Sequence, residues 1–132
     1  MIGLIQRVGS AEVRVEGAVV GAVARGLLAF IAVRREDTES EAERLLERLL
    51  SYRVFPDGEG RMNLSLREVE GGLLLVPQFT LAADTKKGTR AGFSSAAEPG
   101  EARRLFEYLL GKARGSYPHV SAGVFEIGRA HV

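Results

Sequence analysis

Apolar and polar residues alternate at the start of the chain. Ile2, Leu4 and Gln6 fall on one face and Gly3, Ile5 and Arg7 on the other, a period of two that predicts a strand over residues 1–8. Charge alternates with valine over residues 12–16, which predicts a half-exposed strand. Gly17 then turns the chain into residues 18–24 to make a hairpin. Gly26 opens the continuous apolar run Leu27-Leu28-Ala29-Phe30-Ile31-Ala32-Val33, the pattern of a buried central strand. The period then changes. Ala42, Leu45, Leu46, Leu49 and Leu50 recur at helical spacing over residues 39–52, with Arg44, Glu47 and Arg48 on the other side. Thr38 followed by Glu41 has the spacing of a capping box.

Residues 53–55 read as extended, and Pro56-Asp57-Gly58-Glu59-Gly60 as a turn. A strand is expected over 64–69, a turn at Gly71-Gly72, and a strand over 73–81. A second helix is expected from Pro99 or Gly100 to about residue 113, with Ala102, Leu105, Phe106, Leu109 and Leu110 on its apolar face. A last strand is expected within residues 120–132. Strands dominate and two amphipathic helices cover them, which predicts an α+β fold rather than a βαβ repeat.

Composition narrows this picture. The length of 132 residues fits one domain, residues 1–132, with a core of its own. There is no cysteine, so disulfides and thiolate chemistry are excluded. Eighteen basic and 17 acidic residues leave a net charge of +1, so any RNA contact must come from a local patch. The N-terminus lacks the features of a signal peptide, and the longest apolar stretch is too short to cross a bilayer. The expectation is a soluble cytoplasmic protein without membrane contact.

The candidate chemistry sits at the end of the 73–81 strand. Leu73-Leu74-Leu75-Val76 runs into Pro77-Gln78-Phe79-Thr80-Leu81-Ala82-Ala83-Asp84-Thr85, followed by the basic loop Lys86-Lys87-Gly88-Thr89-Arg90. Gln78 can donate to a carbonyl or phosphate, or serve as an ordinary sheet-edge amide. Phe79 can stack on a base or pack in the core. The Thr80 hydroxyl lacks an evident base, which favours a positioning or structural role over nucleophilic attack. Lys86, Lys87 and Arg90 can hold phosphates or form a solvated loop. Arg103, Arg104, Lys112 and Arg114 can extend a basic face or simply solubilise the second helix. His119 and His131 are the only imidazoles, no nucleophile-elbow motif accompanies them, and no residue spacing matches a metal-ligand set. A hydrolase with these residues would rest on backbone donors, held water or a group supplied by its substrate.

Ordered motifs add a resemblance. Ile5-Gln6-Arg7-Val8, Gly26-Leu27-Leu28, Tyr52-Arg53-Val54-Phe55, Gly60-Arg61-Met62-Asn63-Leu64, Gln78 to Thr85, Arg90 with Phe93, and Gly123-Val124-Phe125 stand in the order and spacing of D-aminoacyl-tRNA deacylases. The chain resembles that family over roughly residues 1 to 125, with Pro77 where the family has serine and Ala91 where it has proline. The resemblance implies a β-rich, barrel-like homodimer. It implies hydrolysis of the ester joining a D-amino acid, or glycine mischarged on tRNA(Ala), to the terminal ribose of tRNA, with no metal or organic cofactor. By the same resemblance Gln78, Phe79 and Thr80 line the catalytic pocket, with backbone N–H groups of Phe79 and Thr80 as oxyanion donors and the ribose 2′-hydroxyl as a participant. Arg7, Met62, Asn63, Pro77, Arg90 and Phe93 would contact substrate, and Lys86 and Lys87 the RNA backbone. The family's closing strand carries Asn-x-Gly-Pro-Val-Thr, whose Gly-Pro enters the partner subunit's pocket and which Arg7 braces. Residues 126–132 do not resemble it. The alternative expectation is a catalytically impaired tRNA- or RNA-binding dimer that has lost this chiral filter.

Overall fold

The computed structural model describes residues 1–78 and 96–123, with the backbone of 130–131. In chain order the elements are β1 (Ile2–Val8), β2 (Ala11–Val15), β3 (Ala18–Val23), β4 (Gly26–Ala32), α1 (Glu39–Ser51), β5 (Phe55–Pro56), β6 (Met62–Leu64), α2 (Leu66–Val69), β7 (Gly72–Pro77), α3 (Pro99–Ser116), β8 (Val120–Ala122) and β9 (Ala130–His131). One sheet has the order β1-β4-β7-β8, a second β3-β2-β9, and β5 pairs with β6 as a small hairpin.

The two continuous apolar runs form the centre of the first sheet. β4 and β7 pair in parallel, Leu27 opposite Leu73 and Ile31 opposite Pro77. Strands buried on both faces need no polar alternation, which is why these segments read as unbroken apolar runs. On one face Leu27, Ala29, Ile31, Leu73 and Leu75 pack against Leu46, Leu49 and Leu50 of α1, Phe106 and Leu109 of α3, and Leu66 of α2. On the other, Leu28, Leu74 and Val76 pack with Val13 of the second sheet. Each fully buried leucine stabilises the fold by about 1.5–3 kcal/mol. The sheets approach closely where Gly21 faces the Ala122 backbone. There the Ser121 hydroxyl donates to the Ala22 carbonyl at 2.9 Å.

The fold is α+β as expected, with three corrections. Among the described residues no strand ladder joins the two larger sheets, so they are open sheets packed together rather than a barrel-like closure. Among the described residues there are three helices rather than two. The strand expected over 64–69 ends at Leu64, and α2 follows. The Ser65 hydroxyl accepts the Glu68 N–H at 3.3 Å while the Glu68 carboxylate accepts the Ser65 N–H at 2.9 Å, a reciprocal cap that fixes one helical turn. Glu70 then takes a left-handed conformation (φ 53°) and turns the chain into β7. The helix expected to end near residue 113 continues to Ser116. No helix among the described residues is long and apolar enough to cross a membrane.

The cap foreseen at Thr38 is present: the Thr38 N–H donates to Glu41 at 2.8 Å and its hydroxyl also contacts that carboxylate. The α-amino group of Met1 pairs with Asp37 at 2.6 Å, tying β1 to the turn before α1. Two cations of α3 bind carboxylates across the α1–α3 interface. Arg104 reaches Glu39 at 3.2 Å and Lys112 reaches Glu43 at 3.6 Å. These exposed pairs contribute little each, and they occupy two of the charges that could have served as a basic face.

Candidate functional site

The end of β7 is built by its neighbour. The Gly72 N–H donates to Arg25 O and the Gln78 N–H donates to Ile31 O, both at 2.8 Å. Even positions of β7 therefore aim their N–H groups at β4. Odd positions aim theirs at β8, as Leu73 does to His119 O at 2.8 Å. Position 77 is odd, and the pairing of β7 with β8 stops at Leu75 opposite Ala122. Proline, which has no N–H, thus stands where no described partner awaits one. The same alternation brings Gln78 to the face shared by Leu74 and Val76, with Ile2 and Ala32 continuing its row across the sheet. The adjacent row is Leu4, Phe30 and Val76, in which Leu4 is 54% exposed.

Arg7, Met62 and Asn63 meet elsewhere. Arg7 lies opposite Leu27, on the helix-covered face of the sheet. One Nη of its guanidinium donates to Val54 O at 2.7 Å and lies 3.0 Å from the Met62 sulfur. Arg53 Nη1 reaches Asn63 Oδ1 at 3.5 Å, the limit of a hydrogen bond. In the turn of this hairpin Asp57 accepts N–H groups of Glu59 at 2.8 Å and Arg61 at 3.0 Å. The backbone N–H groups of Arg61 and Glu59, with help from the Asn63 side chain, hold the Asp57 carboxyl below its ordinary value.

The residues grouped by sequence thus separate into two places. Along β4, Ile31 beside Pro77 and Leu27 opposite Arg7 are four residues apart, about 13 Å. β1 and β7 flank β4, which adds two strand spacings, about 10 Å. Arg7 and Gln78 therefore occupy opposite ends and opposite faces of the sheet. Phe79, Thr80, Lys86, Lys87, Arg90 and Phe93 lie outside the described residues. His119 is exposed and packs edge-on against Tyr117, ring centroids 5.8 Å apart. The His131 side chain lies outside the description. Sequence reasoning passed over Arg25, whose guanidinium carbon lies 5.5 Å from the centroid of the buried Phe55 ring. Nothing local in the chain signals that contact.

Residues 4–129 match the model of the family described as D-Tyr-tRNA(Tyr) deacylase. A protein of Alkalilimnicola ehrlichii named D-aminoacyl-tRNA deacylase is 63% identical over 125 residues, covering 95% of this chain and 83% of its own. One of the same name from Thioalkalivibrio sulfidiphilus is 59% identical over 125 residues, covering 95% and 84%. Among solved structures, the c-Myc DNA Unwinding Element Binding Protein superposes with a TM-score of 0.88 at 29% identity, covering 98% of this chain and 89% of that one. A probable eukaryotic D-amino acid tRNA deacylase has the same fold, with a TM-score of 0.78 at 19% identity over 98% and 91%.

Proposed function

The chain belongs to the D-Tyr-tRNA(Tyr) deacylase family, and we propose from that premise that it removes D-amino acids from mischarged tRNA. It is a hydrolase: water adds to the aminoacyl ester carbon, the carbonyl oxygen becomes an oxyanion, and collapse expels the ribose oxygen to give free amino acid and tRNA. The observation that carries this reading is the 63% identity over 125 residues to a D-aminoacyl-tRNA deacylase. That span includes the strand end where Gln78 emerges from β7.

The reacting ester is placed at this strand end. Gln78 binds the aminoacyl group, its backbone fixed by the Ile31 carbonyl. Backbone N–H groups of Phe79 and Thr80 stabilise the oxyanion, Phe79 and Thr80 line the pocket, and Pro77, Arg90 and Phe93 border it. Lys86 and Lys87 contact the RNA backbone. An aminoacyl ester is already labile, so preorganised donors that bind charge only as it develops supply the needed stabilisation without a side-chain base.

The active unit is a homodimer acting in the cytoplasm. Leu4, in the row that runs through Phe30 to Val76 beside Gln78, leaves an exposed apolar side chain on the sheet face, and a second copy seated there excludes water from the ester. The same pairing supplies Arg7, Met62 and Asn63 to the pocket from the other subunit, since no single protomer brings them to Gln78. Deacylation of matched D-Tyr-tRNA and L-Tyr-tRNA tests the reading. The D ester should be cleaved with multiple turnovers and the L ester spared. Equal background rates for both would remove the enzymatic claim and leave an RNA-binding protein.

A further inference from the structure

We propose that Arg25, Arg53 and Arg61 form a phosphodiester-binding surface at the β5–β6 hairpin, beside the residues it lends to the proposed pocket, that holds the tRNA chain leading from the reacting ester. This inference rests on the aminoacyl-tRNA reading and names a part of the molecule which that reading leaves without a role.

The first observation is what these guanidiniums touch. Four cations on the helices and on β2 are matched with carboxylates: Arg14 with Glu12, Arg67 with Glu47, Arg104 with Glu39 and Glu101, Lys112 with Glu43. Around the hairpin the partners are neutral. Arg7 meets a carbonyl and a thioether, Arg53 an amide oxygen, and Arg25 the Phe55 ring. Among the described residues none of Arg7, Arg25, Arg53 and Arg61 is in an ion pair. All four are exposed.

The second observation concerns the acids nearby. The Asp57 carboxylate is turned onto the N–H groups of Glu59 and Arg61 inside the turn. Glu68 is held in the cap of α2 by the Ser65 N–H, and the charge of Arg53 bears on it from outside. Both carboxylates are therefore hydrogen-bonded to backbone donors, and neither forms an ion pair with these arginines.

The third observation is geometric. Phe55 pairs with Leu64 and Pro56 with Met62, and Val54 and Asn63 adjoin these pairs, so the contacts of Arg7, Arg25 and Arg53 fall within roughly 10 Å, two strand spacings. Neutral partners orient each guanidinium while leaving most of its N–H donors free. A guanidinium over a ring face presents its N–H edge outward, and that planar fork matches the oxygens of a phosphate. Because the ester lies at the 3′ end, the phosphodiester chain leads away from it. Binding there positions the substrate without touching the reacting atoms.

The test uses the full-length protein with Arg25, Arg53 and Arg61 changed to Gln singly and together. Steady-state deacylation is measured with D-aminoacyl-tRNA and with D-aminoacyl-adenosine, which lacks the phosphodiester chain, and tRNA retention on filters is measured against salt. The triple variant should raise KM for the tRNA about tenfold with kcat unchanged, and the slope of log affinity against log salt should fall by about one per arginine. Hydrolysis of the adenosine ester should stay at the wild-type rate, and the corresponding Lys variants should recover the salt slope. An unchanged KM and salt slope overturns the surface, as does an equal loss on both esters, which means disturbed folding or a disturbed pocket. Retention of polyglutamate as strong as that of tRNA also overturns it, in favour of an acidic protein partner. If the wild type cleaves neither ester, the deacylase reading has failed, and filter retention alone then decides the surface: lost in the triple variant it stands, unchanged it falls.

Discussion

Gly26 lies so close to Gly72 that a Cβ built on it would fall 2.6 Å from the Gly72 nitrogen and 2.7 Å from its carbonyl carbon. The two residues open the parallel β4–β7 pair, so their approach sets the register that ends at Pro77 and Gln78. Backbone cannot swing aside as a flexible side chain can. Gly26→Ala should cost about 3 kcal/mol, read as a lower urea midpoint with an unchanged m-value. Gly111 lies inside α3, and a Cβ added there would meet nothing within 4 Å. Gly111→Ala should therefore stabilise the protein by about 0.5–1 kcal/mol.

Pro77 stands where its missing N–H faces away from β4, beyond the described pairing with β8. Pro77→Ser should fold normally, losing about 0.4–1 kcal/mol as the unfolded chain regains freedom. It also gives the proposed pocket a backbone N–H and a hydroxyl. One added hydrogen bond to the ester, at about 1 kcal/mol, should raise kcat/KM on D-Tyr-tRNA roughly 3- to 10-fold. An unchanged kcat/KM in the folded variant would place position 77 outside the pocket.

The sheet core and the first helix were legible because their signals are local. Leu27 to Val33 and Leu73 to Val76 are unbroken apolar runs, and such runs mark strands buried on both faces. Thr38 and Glu41 announce a cap by spacing alone. Ser65 and Glu68 carry the same signature, but the helix behind them is a single turn, too short for a period to register, so Leu64 to Val69 reads as a strand. The site was legible only as a set of residues. Arg7 and Gln78 were grouped by motif, and their separation follows from the antiparallel β1–β4 and parallel β4–β7 registers, which no local pattern encodes. Arg25 was missed for a similar reason: its contact exists because tertiary packing buries Phe55.

Tyr117 ends α3 and its buried hydroxyl reaches the Leu66 carbonyl at 3.2 Å and the Gly71 carbonyl, fastening α3 to the turn that starts β7. Tyr117→Phe leaves the Gly71 carbonyl short of a donor and should cost about 1–2 kcal/mol. Burial first, then the Glu70 charge, push this phenol above its ordinary value of 10.0. The folded state resists ionisation, so the contribution is whole below pH 10 and is lost as pH rises past the unfolded value through the folded one. Chemical denaturation between pH 9 and 11, with ordinary tyrosine ionisation at about 10, should show a fall in stability that is shallower in the Phe variant.

At the acid end the two capping glutamates act with the opposite sign. The Thr38 side chain, then its backbone, hold Glu41 below the ordinary 4.5. The Ser65 backbone N–H, then its hydroxyl, do the same for Glu68. A depressed folded value means the contribution is complete above pH 4.5 and is lost as pH falls below it through the folded values. Stability measured from neutral pH downward should hold level to the region of 4.5 and then decline. Glu41→Gln and Glu68→Gln should each make that decline shallower. An identical acid profile in both variants would assign acid sensitivity to other carboxylates.

Arg7 and Gln78 give the proposed two-subunit pocket its sharpest test. Arg7 lies opposite Leu27 and is committed to Val54 and Met62, whereas Gln78 emerges beside Ile31 on the other face. If both serve one ester, each pocket takes Arg7 from one subunit and Gln78 from the other. Homodimers of Arg7→Ala and of Gln78→Ala should then both be impaired, because every pocket lacks one group. In a mixed dimer one subunit keeps Arg7 and the other keeps Gln78, so one of its two pockets is whole. Random reassociation of equal amounts makes half the dimers mixed, so activity should return to about a quarter of wild type. A pocket confined to one protomer predicts no complementation, since each subunit would carry its own defect into every dimer. Mixing the two purified variants after mild dissociation and timing D-Tyr-tRNA deacylation separates these outcomes, and recovery that stays at the level of the separate variants would rule out the shared pocket.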